Sequence, residues 1–167
     1  MSKFLKAIFL FSIFIYTVNV KAGDKNLAQY RVVFHSSSAD QNHCGHLVVD
    51  GSKQTYWEGK PEKTNSIKID LAGSRNIHQI RIHWGKNYGT EYEITACEQE
   101  GAEGKKVCSI RDGKGKTEIF DGNIPGIRFI RINITKVKDP IRGCVINEVE
   151  IMGQGDDRFV LSSVTQL

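Results

Sequence analysis

Two stretches near the middle of the chain, residues 66–71 (SIKIDL) and 77–84 (IHQIRIHW), alternate apolar and polar residues with a period of two. In the first, Ile67, Ile69 and Leu71 alternate with Lys68 and Asp70. In the second, Ile80, Ile82 and Trp84 face one way, and Arg81 and His83 the other. Successive side chains of a strand point to opposite faces, so this period predicts half-buried strands.

Six further strands are predicted over residues 29–36, 91–98, 105–110, 116–121, 126–135 and 145–152, separated by Gly, Asn, Asp and Lys turns. No stretch has a convincing helical period. Eight short strands with turn signals between them indicate an all-β sandwich or barrel.

The first 22 residues have the order of a secretory signal peptide. Lys3 and Lys6 precede an apolar run over residues 7–16, and Val20 and Ala22 supply the small residues of a cleavage site. The run falls short of the about 20 residues that span a bilayer. Removing this leader takes away Lys3, Lys6 and Lys21 and no acid, so the formal net charge of +4 falls to about +1. That removes the main warrant for nucleic acid binding. The expected organisation is a leader over 1–22, a loose segment over 23–26, one domain over 27–153, and a tail or linker over 154–167.

All four cysteines, Cys44, Cys97, Cys108 and Cys144, follow the leader. An even count in an exported chain favours disulfides, with three pairings open. Cys97 with Cys108 would close a hairpin, and Cys44 with Cys144 would tie the start of the domain to its end. The alternative is free, buried thiols.

Residues 48–57 (VVDGSKQTYW) form an acidic turn at Asp50-Gly51 followed by Thr55 and Trp57. Oxygens gathered on such a turn either hydrogen-bond the loop to itself or ligate a hard cation.

Several pieces in order, HSSSAD, VVDGSKQTYW, IKIDLAGSRNIHQIRIHWGKNYGTEYEI, GIRFIRINIT and VINEVEIMG, resemble the discoidin or coagulation factor V/VIII type C domains. That family includes many galactose-binding-like carbohydrate-binding modules. The resemblance implies an eight-stranded antiparallel jelly-roll β-sandwich. It also implies a structural calcium site beside the turn: the Asp50 carboxylate, the Thr55 hydroxyl, Glu148, and main-chain oxygens near Leu47 and Asn147. Position 52 is Ser where the pattern often has Asn or Asp, so that ligand becomes a carbonyl. Calcium takes six to eight oxygens, a number this set approaches. Cys44 and Cys144 stand just before the two motifs, which puts the expected disulfide across the same corner.

Trp57, Trp84 and Tyr92 match positions that pack the sandwich. Tyr56 and Tyr88 fall in turns, free to offer an aromatic face to the C–H groups of a sugar, with Glu58, Lys86, Asn87, Arg142 and His35 as rim candidates for its hydroxyls. No Ser-His-Asp order or paired-carboxylate site is recognisable, so no catalysis is expected within these residues.

The leading expectation is therefore an exported, non-catalytic module that binds a glycan with galactose-type or amino-sugar residues. A second class is adhesion to cell surfaces, proteins or phospholipid, but the polar loops SSADQNH, GKNYGTE and GKGK argue against stable membrane insertion. A third is an accessory module covalently attached to a glycoside hydrolase beyond Leu167.

Overall fold

A computed structural model describes residues 25–155. The expected leader, and all but the first two residues of the expected tail, lie outside the described residues. Eight strands run in order: β1 Lys25–Asn26, β2 Val32–His35, β3 Trp57–Glu58, β4 Asn65–Trp84, β5 Gly89–Cys97, β6 Lys105–Ile110, β7 Thr117–Val137 and β8 Val145–Gln154. A 3-10 turn at Gly45–Val49 precedes β3. Every pairing is antiparallel.

β4 and β7 are 20 and 21 residues long, several times an ordinary strand of about 5–6. Each therefore absorbs two of the predicted strands, and each bends where those two were separated. In β4 the bend lies at Ala72 (φ 57°) and Gly73 (φ 149°), and the register against β7 shifts between Asp70 and Arg75. The Asp70 carboxylate accepts the Ala72 amide at 2.8 Å, which holds this left-handed turn. Arg75 is buried inside the corner and donates to the Leu71 carbonyl from Nε and Nη2 at 3.2 and 3.1 Å. Gly126 (φ 75°) marks the matching bend of β7.

The bends distribute the two long strands between two layers. The first half of β4 pairs with β2 on one side and with the second half of β7 on the other; β5 and β6 continue that layer. The second half of β4 pairs with the first half of β7 and with β8, whose far edge carries β1 and β3. The product is the eight-stranded antiparallel jelly-roll sandwich expected from the sequence.

The alternating isoleucines meet between the layers. Ile67, Ile69 and Leu71 come from one half of β4, and Ile77, Ile80 and Ile82 from the other, all fully buried. β7 adds Ile130 and Ile132, and β8 adds Ile146 and Ile151. Each such side chain contributes on the order of 1.5–3 kcal/mol relative to exposure. Trp57 is also fully buried, and its indole Nε1 donates to the Ser37 carbonyl at 2.8 Å.

Three expectations are corrected. The segment expected to be loose already carries β1 on the edge of β8, because Leu27 and Ala28 directly after it are buried in the core. Residues 29–36 are strand only over Val32–His35, since Tyr30 turns with a φ of 59°.

The expected disulfides are absent: all four cysteines are free. Cys108 lies opposite Ile94, so Cys97 stands three residues further along β5. That is about 10 Å along the strand at roughly 3.3 Å per residue, beyond the about 7 Å between Cα atoms that a bridge can span. Cys144 points into the core and burial pushes its thiol up to about 12, whereas the Cys44 thiol turns to the Gln41 carbonyl at 3.1 Å. No helix among the described residues is long and apolar enough to cross a membrane.

Candidate functional site

One end of the sandwich carries a groove of about 790 Å³ built from four separate stretches of chain. The approach to β3 supplies Gln54, Tyr56 and Glu58. The β4–β5 turn supplies Lys86, Asn87 and Tyr88. Lys114 and Lys116 come from the β6–β7 loop, and Lys138 and Arg142 from the β7–β8 loop. Trp84, Val145 and Asn147 complete the lining.

Each part of this wall is braced from behind. The Glu118 carboxylate accepts the Trp84 indole at 2.7 Å, the Tyr92 hydroxyl on the same oxygen, and the Lys114 amide at 2.9 Å on the other. One acid therefore joins the floor to the β6–β7 loop. The Lys116 carbonyl accepts the Trp84 amide at 2.8 Å, and the Tyr88 carbonyl accepts the Lys138 amide at 3.0 Å.

The two turn-borne tyrosines are held as rigid faces. Tyr56 stacks on His43 with ring centroids 4.3 Å apart and planes 22° apart. His43 in turn is held by Asp40 at 2.9 Å. Tyr88 lies against Gly115, where a Cβ would come within 2.5 Å of its ring and where the backbone takes a φ of +71°. Only glycine fits there comfortably.

Asn87 sits beneath the rim, 5 % exposed. Its Nδ2 lies 3.0, 3.1 and 2.9 Å from the carbonyls of Asp139, Arg142 and Gly143, and its Oδ1 accepts the Asp139 amide at 2.8 Å. The side chain is thus spent on holding the β7–β8 loop. It positions Arg142 and is not free for a hydroxyl of its own.

Behind one side of the groove, β8 brings Glu148 to the Asp50 turn. Glu148 is 1 % exposed, and neither carboxyl oxygen has a hydrogen-bond partner. Burial, and then the neighbouring Asp50, push its pKa up to about 8. Asp50 accepts the Ser52 amide and the Thr55 hydroxyl, both at 2.8 Å, so the turn does bond to itself. The Thr55 hydroxyl also lies 3.1 Å from the Ser52 carbonyl. The Ser52 hydroxyl donates to Gln54 at 3.0 Å, and the Asn147 amide donates to the Lys53 carbonyl at 2.9 Å. The segment 50–58 therefore has one end on this corner and the other in the groove.

A buried, unpartnered carboxyl group beside a half-buried one forms a donor set suited to a hard cation. The described residues hold no group of three or more His, Cys, Asp and Glu that could bind a metal. A cation here would accordingly need hydroxyl and main-chain oxygens beside the two acids.

The profile of the F5/8 type C domain matches residues 33–149. The chain belongs to this family. The family is one of non-catalytic binding modules. A search of curated protein sequences finds no match.

Among solved structures, chitosan-binding module 1 of a chitosanase/glucanase from Paenibacillus sp. IK-5 superposes with a TM-score of 0.73 at 21 % identity, over 77 % of this chain and 99 % of that one. Module 2 of the same enzyme, in complex with chitotriose, gives 0.69 at 24 % identity, over 75 % and 98 %. CpGH89CBM32-4 from Clostridium perfringens, in complex with GlcNAc-α-1,4-galactose, gives 0.67 at 18 % identity, over 79 % and 96 %. At these identities the likeness is one of fold.

Within this F5/8 type C domain, the residues singled out from sequence fall into two neighbouring places. Tyr56, Glu58, Lys86, Asn87, Tyr88 and Arg142 all line the groove. Asp50, Ser52, Thr55 and Glu148 meet at the corner, with Leu47 in the 3-10 turn before it and Asn147 between corner and groove. His35 is not part of the groove; its ring packs over Gly45. Sequence reasoning missed Gln54, Lys114, Lys116 and Lys138 as groove residues. The signal available for two of them was the GKGK turn, in which Gly115 lies against the Tyr88 ring with Lys114 and Lys116 on either side of it in the chain.

Proposed function

We propose that this domain is an exported, non-catalytic carbohydrate-binding module that holds its glycan in the groove between Tyr56 and Tyr88. The observation that carries this reading is the pair of braced tyrosines set among side chains that bond hydroxyls. A sugar ring presents C–H groups on one face and hydroxyls at its edge; the tyrosines suit the first, and Gln54, Glu58, Lys86 and Arg142 the second. The oligosaccharides named with two of the structural neighbours support the same reading. Galactose-type or amino-sugar residues are the proposed units. Export rests on the leader over 1–22, and attachment to a catalytic domain remains part of the proposal.

Calcium belongs to this reading as a structural ion. Asp50 and Glu148 would hold it with the Thr55 hydroxyl and main-chain oxygens of Leu47, Ser52 and Asn147. Bound there, it supplies positive charge that neutralises the two acids. The chain's own part is to keep segment 50–58 anchored, so that Tyr56 and Glu58 stand where the groove needs them.

Affinity electrophoresis across galactosides and N-acetylated amino-sugar polymers tests the glycan reading. The expected result is retardation by at least one polymer, weakened about tenfold by Tyr88→Ala, as removing a stacking aromatic costs on the order of 1–2 kcal/mol. No retardation by any polymer would sink it.

Attachment to phospholipid has one observation in its favour: Ile141, 81 % exposed on the β7–β8 loop beside Arg142. Co-sedimentation with phosphatidylserine vesicles, lost on Ile141→Asp, would favour that reading over the first.

A further inference from the structure

We infer that the groove selects anionic glycans, those whose sugar units carry a carboxylate or a sulfate ester. This rests on the groove being a glycan site. Five of its lining side chains are cationic, Lys86, Lys114, Lys116, Lys138 and Arg142, against the single carboxylate of Glu58. The chain without its leader has 20 basic and 19 acidic residues, so this excess is local and does not reflect overall composition.

The cations come from three different loops, and the backbone fixes two of them. Lys116 and Lys138 are tied by main-chain bonds to Trp84 and Tyr88, the floor and the aromatic face. Lys86, Lys116 and Lys138 form no ion pair with any described residue. Lys114 is paired with Asp112, and Arg142 lies 3.4 Å from Asp139. Lys138 Nζ lies 5.7 Å from the Tyr88 ring centroid. A sugar brought to that ring would therefore meet a positive charge standing over the aromatic face.

Like charges gathered in one hollow repel one another, and the cost is relieved only when a counter-charge enters. A neutral sugar leaves that repulsion in place, and a free amine adds to it. A carboxylate or sulfate removes it and gains charge-assisted hydrogen bonds from lysine and arginine. An amino sugar compatible with this groove is therefore one whose nitrogen is acylated. The same cations would attract a phosphate-bearing lipid or polymer, but the hollow between two braced tyrosines matches a sugar ring more closely than an extended charged surface.

The test compares retardation of the protein by four polymers, a neutral galactan, a sulfated galactan, polygalacturonate and chitosan, at low and high salt. Sulfated galactan or polygalacturonate is expected to bind on the order of tenfold tighter than the neutral galactan at low salt, with the gap narrowing at high salt. Chitosan should not bind. The triple variant Lys86→Gln, Lys116→Gln, Lys138→Gln should bring acidic and neutral galactans to within about threefold of each other, mainly by weakening the acidic ones, with Tm kept.

The two anion types are separable by pH. Retention by polygalacturonate should fade below about pH 3.5, where the carboxylates protonate, and retention by the sulfate ester should persist. Equal retention of neutral and acidic galactans would overturn the charge selectivity and leave the glycan reading standing. So would preference for the acidic polymers undiminished in the triple variant. Binding of polyglutamate, of duplex DNA or of anionic vesicles as tight as that of any glycan would overturn both. Silence toward every polymer would defeat the glycan reading itself.

Discussion

Glu148 lies buried against Asp50, and neither of its carboxyl oxygens has a hydrogen-bond partner. The Gly51 amide is close enough to oppose the resulting shift but stays outside hydrogen-bond geometry. Burial and Asp50 together push the group up to about 8 in the metal-free fold. In the unfolded chain it titrates near 4.5. Between those values the folded state binds more protons than the unfolded state, so stability falls as pH rises. With chelator present, Tm is expected to decline from pH 5 to pH 8.5. Saturating calcium should raise Tm most at the alkaline end, where the carboxylate is free to bind it. A chelator-insensitive Tm across this range would contradict the corner as a cation site.

Glu148→Gln keeps the shape of the side chain and removes its charge. Without metal, this variant should be the more stable one at pH 8, by about 3–5 °C in Tm for each kcal/mol of repulsion removed. It should also lose its response to calcium. A variant less stable than the parent in chelator at pH 8 would mean that the repulsion from Asp50 does not govern this site.

Gly115 is required by two conditions at once, a φ of +71° and the Tyr88 ring against its Cα. Gly115→Ala should cost about 1–2 kcal/mol from backbone strain and displace the tyrosine. Glycan affinity should then drop by more than the small loss of stability explains. Calorimetry and binding measured on the same preparation separate the two effects. Affinity equal to that of the parent would show that Tyr88 is not a contact.

Asn87→Ala should leave the carbonyls of Asp139, Arg142 and Gly143 without their buried donor. Losing a buried hydrogen-bonding group of this kind costs about 1–3 kcal/mol, and urea unfolding would read it. Hydrogen exchange in the β7–β8 loop should quicken at the same time. An unchanged unfolding midpoint would instead assign this side chain to ligand contact.

The four free cysteines make a direct prediction. Alkylation under denaturing, non-reducing conditions should modify all four. In the native state Cys144 should stay unmodified longest, since it is buried with its thiol held up near 12. A mass two hydrogen atoms short per expected bridge, with no alkylation at Cys97 and Cys108, would restore the hairpin disulfide.

Alternation in residues 66–71 and 77–84 was enough to place Ile67, Ile69, Ile80 and Ile82 in the core, because a period of two permits only one buried face. Burial of Trp57, Trp84 and Tyr92 was legible in the same way, through their matching motif positions. The turn residues around Asp50, Tyr56 and Tyr88 marked two places worth attention. They did so because glycine turns bring polar and aromatic side chains to the end of a sandwich.

Continuity was not legible. Whether 66–71 and 77–84 are two strands or one bent strand depends on the Asp70 cap at Ala72 and on Arg75 filling the corner, both tertiary facts. Cysteine parity suggested bridges, but register set Cys97 and Cys108 too far apart, and no local pattern encodes register. The groove shows the same division. Its tyrosines were visible one turn at a time, whereas its charge became visible only when three loops converged. Lys86, Lys116 and Lys138 are unremarkable as isolated surface lysines. Folding sets them around one hollow, where their repulsion becomes a preference for the ligand that cancels it.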